Sequence, residues 1–154
     1  MKKEIFITIV ALSIFALPFF LHPYVVTGHS MEPAYHSGDR VLVETFTPRL
    51  HVWRGEVLVI YNPHDKAVIE IKRVIGLPNE DVNISDKTTT STLKNGQSET
   101  FGAPFAQPGT VPFGMHLGPE DYLVLGDNRA HSSDSRVFGA VQAGDIIGHV
   151  ILKI

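Results

Sequence analysis

The sequence predicts a mainly β protein. An antiparallel, barrel-like core carries a small inserted cap subdomain, and one N-terminal transmembrane helix precedes it. Three observations predict this. Residues 5–21, IFITIVALSIFALPFFL, contain no charged side chain. Five short runs rich in Val and Ile follow, each bounded by Gly, Pro or Asp. Residues 102–119 hold four of the glycines and four of the prolines, a composition of loops and linkers.

The apolar run comes first. As a helix rising 1.5 Å per residue it spans ~26 Å, just short of a ~30 Å hydrocarbon core. Continued through His22 and Pro23 to Val26 it reaches ~33 Å. A buried core helix would need a helical partner, and no other segment reads as one. A cleaved leader would need a small-x-small site. The best available, Val26-Thr27-Gly28, is poor, and cutting there would leave Ser30 almost at the new terminus. A retained anchor fits best. Lys2 and Lys3 precede the run, and the next Lys or Arg is Arg40. The positive-inside rule then places the N-terminus in the cytoplasm and the rest outside, in a single pass of the cell membrane. Residues 1–24 are assigned to the cytoplasmic N-terminus and anchor, and 25–154 to an extracytoplasmic domain.

The strands are expected at 39–46 (DRVLVETF), 55–62 (GEVLVIYN), 67–76 (AVIEIKRVIG), 121–127 (DYLVLGD) and 145–154 (DIIGHVILKI). Asn-Pro-His-Asp at 62–65 is a turn between two of them. Asn95-Gly96, inside STLKNGQSET, is a strong hairpin signal. The excursion from about 79 to 118 forms the cap subdomain. No internal repeat or coiled-coil heptad is visible.

The 154 residues suffice for one domain with a single hydrophobic core. The absence of cysteine removes disulfides, thiolate catalysis and cysteine metal sites. A formal charge of −3 without a basic run argues against a nucleic-acid partner.

Chemistry concentrates in three places. The first is GHSMEP, residues 28–33. Most loop serines are solvated or cap a turn. Ser30, however, directly follows the anchor. Gly28 allows close approach of backbone to a ligand, and Pro33 stiffens the turn. A lipase-type G-x-S-x-G elbow fails because Glu32 replaces the second glycine, and the βα units of that fold are missing. Among eight histidines, His29 is adjacent to Ser30 and points away in an extended loop. His131, in a polar loop, is the best remaining histidine base. His29 and His36 lack a third ligand, so neither a metal nor another cofactor is expected.

The second place is a lysine. Free lysine has a pKa near ~10.4 and is a poor base at neutral pH, and burial disfavours its charged form. That use requires an apolar strand. Of seven lysines only Lys72 lies in one, facing the same way as Val68, Glu70 and Val74. On its own, a strand lysine more often sends its head group to water.

The third place is GDNRAHSSDSRVFG, residues 126–139. A purely solvated loop has little need for its Asp–Arg alternations. Asp127, Asp134 and Arg136 could together rigidify a loop that delivers a serine hydroxyl to Lys72.

Together these boxes resemble the type I signal peptidase family, membrane-bound serine endopeptidases with a Ser–Lys dyad of the bacterial type. GHSMEPAYHSGDRVLV resembles the nucleophile box, RGEVLVIYNP the next strand, IKRVIGLPNED the lysine box and GDNRAHSSDSRVFGAV the last box. QAGDIIGHVILKI resembles the terminal strand. The resemblance implies Ser30 as nucleophile, Lys72 as general base and Ser132 as a hydroxyl bonded to that lysine. Asp127, Asp134 and Arg136 would support the loop, and Gly28, Met31 and Pro33 would shape the oxyanion and substrate approach. Where some members place an oxyanion-donating serine, this chain has Gly28. The family cuts signal peptides from exported preproteins after Ala-x-Ala sites through an acyl-enzyme. The implied partners are those signal peptides, the lipid bilayer and, as a further candidate, the protein-export translocon. The rival readings are a conjugation-type processing peptidase, a self-cleaving repressor-type peptidase and a non-catalytic, membrane-anchored peptide-binding β-module. The repressor type would carry a DNA-binding module and no anchor.

Overall fold

The computed structural model describes residues 3–6, 20–47, 51–85, 88–102 and 112–154. Eleven strands are present among them: β1 (Leu21–Val25), β2 (Arg40–Glu44), β3 (Val57–Tyr61), β4 (Ile69–Gly76), β5 (Glu80–Ile84), β6 (Thr89–Leu93), β7 (Ser98–Phe101), β8 (Phe113–His116), β9 (Asp121–Leu125), β10 (Val141–Gln142) and β11 (Ile146–Lys153). A one-turn helix, α1 (Ser135–Phe138), precedes β10. The fold is mainly β, as the sequence predicts. Seven strands form an antiparallel sheet in the order β1-β2-β11-β3-β4-β9-β10, an open half-barrel. Four more form a second antiparallel sheet, β7-β6-β5-β8.

Burial explains the strand sequences. β3, VLVIY, lies inside the large sheet and buries four of its five residues, so it reads as a continuous apolar run. β5, EDVNI, buries alternate residues and covers the core with one face only. Leu58, Ile60, Val74, Val124, Phe138 and Ile146 belong to one apolar cluster within the large sheet. Ile75, Val82, Ile84, Leu117, Leu123 and Leu125 form another, between the sheets. Gly76 sits at the seam, where a Cβ would lie 2.6 Å from Val82 and 2.7 Å from Leu117. Arg54 ties the sheets together by bonding the Ile75 carbonyl and Glu80.

The anchor segment was expected to reach residue 24, but Leu21–Val25 form β1, paired with β2 from Leu21↔Glu44 to Val25↔Arg40. Proline is tolerated there because β1 is an edge strand, where a missing N–H breaks no ladder. Residues 113–116, expected as loop, form β8, with Phe113 and Met115 packed on the second cluster and Gly114 fitting beside Asn83. Most of the expected anchor, residues 7–19, lies outside the described residues. Among those described, no helix is long and apolar enough to cross a membrane.

Candidate active site

The turn carrying Ser30 is fixed from both ends. Val26 and Met31 are buried at 5% and 1% exposure. The Val26 N–H donates to the Asp39 carbonyl and its own carbonyl accepts from Gly38, both within 2.9 Å. Gly28 adopts φ +83° with open space where a Cβ would stand. The Ser30 carbonyl accepts the Asn128 N–H at 2.9 Å. Among the described residues the Ser30 N–H has no acceptor. His29, the neighbour, is exposed and pairs with Glu32 at 2.8 Å.

Lys72 enters from β4, opposite Leu58 of β3. The residue is 3% exposed, and its Nζ lies 3.2 Å from Ser30 Oγ. The same nitrogen is 2.7 Å from Glu70 Oε2. Glu70 Oε1 accepts a bond of 2.5 Å from the Asn62 side-chain amide. The expected bond from Ser132 to Lys72 is not formed among the described residues. The Ser132 hydroxyl turns to the Ser133 carbonyl at 3.5 Å and toward Asp134, while Glu70, on the face of β4 that carries Lys72, occupies the amine.

The loop after β9 locks this arrangement. Its two acids each hold an arginine, and Arg129 lies within the field of both. Arg73, next to Lys72, grips Asp127 with two bonds of 2.7 and 2.6 Å and donates to the Gly55 carbonyl at 2.7 Å. The bond to Asp127 raises the Arg73 guanidinium above its ordinary value, outweighing burial. Asp134, fully buried, caps α1 and binds Arg136 through both oxygens at 2.8 Å. Arg136 also donates to the Arg129 carbonyl at 2.7 Å. Burial pushes the Arg129 guanidinium down to about 10, with the Arg136 charge adding to the effect. Gly126 lies against the turn carrying Ser30, and a Cβ there would stand 2.4 Å from the Ser30 carbonyl oxygen and 2.3 Å from Ser132 Oγ.

Ser30 and Lys72 line a cleft of about 280 Å³ between the segments 24–30 and 69–72. Val41 and Val59 contribute apolar wall, and His131 and Ser133 also line it. β9 pairs with β4 only over Arg73–Gly76, so Ile69–Lys72 hydrogen-bond to β3 on one side alone. Of the three residues expected at the substrate approach, Gly28 lines the cleft, whereas Met31 is in the core and Pro33 is exposed outside it. Among the described residues no group of three His, Asp or Glu is arranged to hold a metal ion.

A profile of the family described as signal peptidase, peptidase S26, matches residues 2–154. The chain belongs to this family. It is 33% identical over 157 residues to a probable signal peptidase I-2 of Synechocystis, an alignment covering 96% of this chain and 69% of that one. It is 32% identical to signal peptidase IB of Staphylococcus aureus, covering 99% and 91%. A crystal structure of signal peptidase I from Enterococcus faecalis superposes with a TM-score of 0.55 at 28% identity, over 66% of this chain and 97% of that one. The half-barrel is thus consistent with the fold of that signal peptidase I.

Proposed function

We propose that this chain is a signal peptidase I that cuts signal peptides from exported preproteins, with Ser30 as nucleophile and Lys72 as general base. The separation of 3.2 Å between Lys72 Nζ and Ser30 Oγ, inside the cleft, carries the reading. An uncharged Lys72 amine takes the Ser30 proton as Oγ attacks the scissile carbonyl. The amine, now protonated, returns the proton to the leaving nitrogen. A water activated by Lys72 then hydrolyses the acyl-enzyme. The Ser30 N–H, which no described residue engages, supplies one oxyanion donor.

The free side of Ile69–Lys72 favours an extended peptide added as a strand, which would bring its carbonyl past Ser30. The apolar wall of Val41 and Val59 suits small side chains, in keeping with an Ala-x-Ala site. Residues 5–21 would hold the enzyme in the bilayer with the N-terminus cytoplasmic and the cleft on the outer face, where exported signal peptides and the translocon meet it.

The test is cleavage of a preprotein with an Ala-x-Ala site by the detergent-solubilised full chain, with the cut mapped by mass spectrometry. Ser30→Ala and Lys72→Ala are each expected to lower kcat/KM by ~10³-fold or more. Wild-type trimming by either variant overturns the dyad.

A further inference from the structure

Glu70 is the charged neighbour of Lys72 that this mechanism leaves without a task. We infer that Glu70 is a positioning residue that holds the Lys72 amine against Ser30 and receives its proton when a bound peptide dries the cleft. The inference rests on the Ser30–Lys72 reading and goes beyond it.

The geometry is specific. Glu70 Oε2 and Lys72 Nζ are 2.7 Å apart, with side chains only 13% and 4% exposed. The second carboxylate oxygen is held by Asn62 at 2.5 Å. Asn62 is fixed in turn, because its N–H donates to the Val68 carbonyl at 2.9 Å and its Oδ1 accepts the His64 N–H at 2.8 Å. Ser132, the expected partner of the lysine, bonds elsewhere. Glu70 and the Ser30 hydroxyl are thus the polar groups that fix Nζ among the described residues.

The surroundings leave the pair to itself. Across β3, Leu58 and Ile60 are apolar and fully buried. From β1, the nucleophile turn and the loop after β9, the titratable groups lining the cleft are Tyr24, His29 and His131. His29 is engaged by Glu32, His131 by Asn128, and Arg73 by Asp127. No second carboxylate lines the cleft among the described residues.

An ion pair and a neutral pair differ only in the position of one proton. The Nζ–H bond breaks, the Oε2–H bond forms, and the net charge is unchanged. Water in the open cleft favours the ion pair. A peptide that displaces this water raises the cost of two separate charges and favours the neutral pair. The uncharged amine then appears only with substrate in place. It next takes the Ser30 proton while the Oγ–carbon bond forms.

This device leaves a signature in the pH profile. Because the pair keeps a constant proton count, the reactive fraction does not change with pH between its two macroscopic steps. A lone lysine behaves differently, losing activity tenfold per pH unit on its acid side. The test measures kcat/KM on an Ala-x-Ala peptide from about pH 5 to 9 with the full chain in detergent. Wild type is expected to be flat across the neutral range. Glu70→Gln is expected to acquire the tenfold-per-unit acid slope. Glu70→Asp is expected to stay flat at lower kcat. A Glu70→Gln profile of wild-type shape overturns the inference, as does higher activity than wild type below neutrality. Asn62→Ala provides a second arm should Glu70→Gln not fold. It loosens the carboxylate without removing it, so kcat is expected to fall with KM unchanged, and an unchanged kcat overturns the positioning role. Ser30→Ala, run alongside, separates the two ideas, since its activity would sink the dyad whatever Glu70 does.

Discussion

Glu70 and Lys72 form a largely buried ion pair at 2.7 Å beside the Ser30 hydroxyl, so Lys72 also carries stability. Removing one partner of such a pair strands the other charge, at a cost of ~3–5 kcal/mol. Lys72→Met is therefore expected to unfold at markedly lower denaturant, and the double variant Lys72→Met/Glu70→Leu to recover most of the loss. Chemical denaturation of the four proteins forms a double-mutant cycle. Additive losses would show that the two side chains are not coupled.

Gly126 has no room for a side chain. A methyl group there would meet the Ser30 carbonyl oxygen at 2.4 Å and Ser132 Oγ at 2.3 Å, and the former is backbone. Gly126→Ala must push the Ser30 turn away from Lys72. Overpacking of this kind costs ~1–3 kcal/mol, and a displacement of about 1 Å at the reacting hydroxyl costs ~10²-fold in rate. Steady-state kinetics and thermal melting should both register it. Full activity would show that the turn yields without moving Ser30.

The five long Val/Ile strands are legible in the sequence because each buries apolar side chains, and their bounds agree within about two residues. β1 escapes because Leu-His-Pro-Tyr-Val follows an apolar run directly and Pro23 argues against a strand. Its pairing with β2, nineteen residues or so away, is tertiary. β6, TTSTL, is polar to the eye, yet Thr89 and Ser91 are buried, so its signal is not alternation of hydropathy but the Asn95-Gly96 turn that joins it to β7. Ser30 and Lys72 are legible as chemistry, but their contact spans forty-two positions and only the fold supplies it. The signal for Glu70 lay in the period-2 spacing that puts it on the Lys72 face. The pairing of Asp127 with Arg73 had no sequence signal, because Asp127 sits in the loop after β9 while Arg73 comes from β4.

Acid stability should depend on Asp134. Burial raises this carboxyl, but bonds from Arg136, the Gly126 N–H and Ser132 outweigh it and hold it below its ordinary value of 3.8. A depressed carboxyl stabilises the fold fully above its unfolded pKa and loses that contribution as pH falls through the folded one. The loss therefore falls below about pH 3.8. Melting temperatures measured from neutral to acid pH are expected to fall more steeply in this window for wild type than for Asp134→Asn. The variant should be less stable at neutral pH because a buried acceptor of Arg136 is lost. Parallel curves below pH 4 would remove Asp134 from the acid response.

The orientation across the membrane can be read by labelling, because the chain has no cysteine of its own. Asn95 lies in the exposed turn between β6 and β7, and Glu4 lies before the apolar run. Under the proposed topology, Asn95→Cys should react with a membrane-impermeant maleimide on intact cells. Glu4→Cys should react only after permeabilisation. A chain begun at Phe20 keeps β1 whole and should partition into the soluble fraction while still cutting a free peptide. Labelling of Glu4→Cys from outside would reverse the assigned topology. Membrane retention of the shortened chain would move the attachment from residues 5–21 to the β-sheet surface.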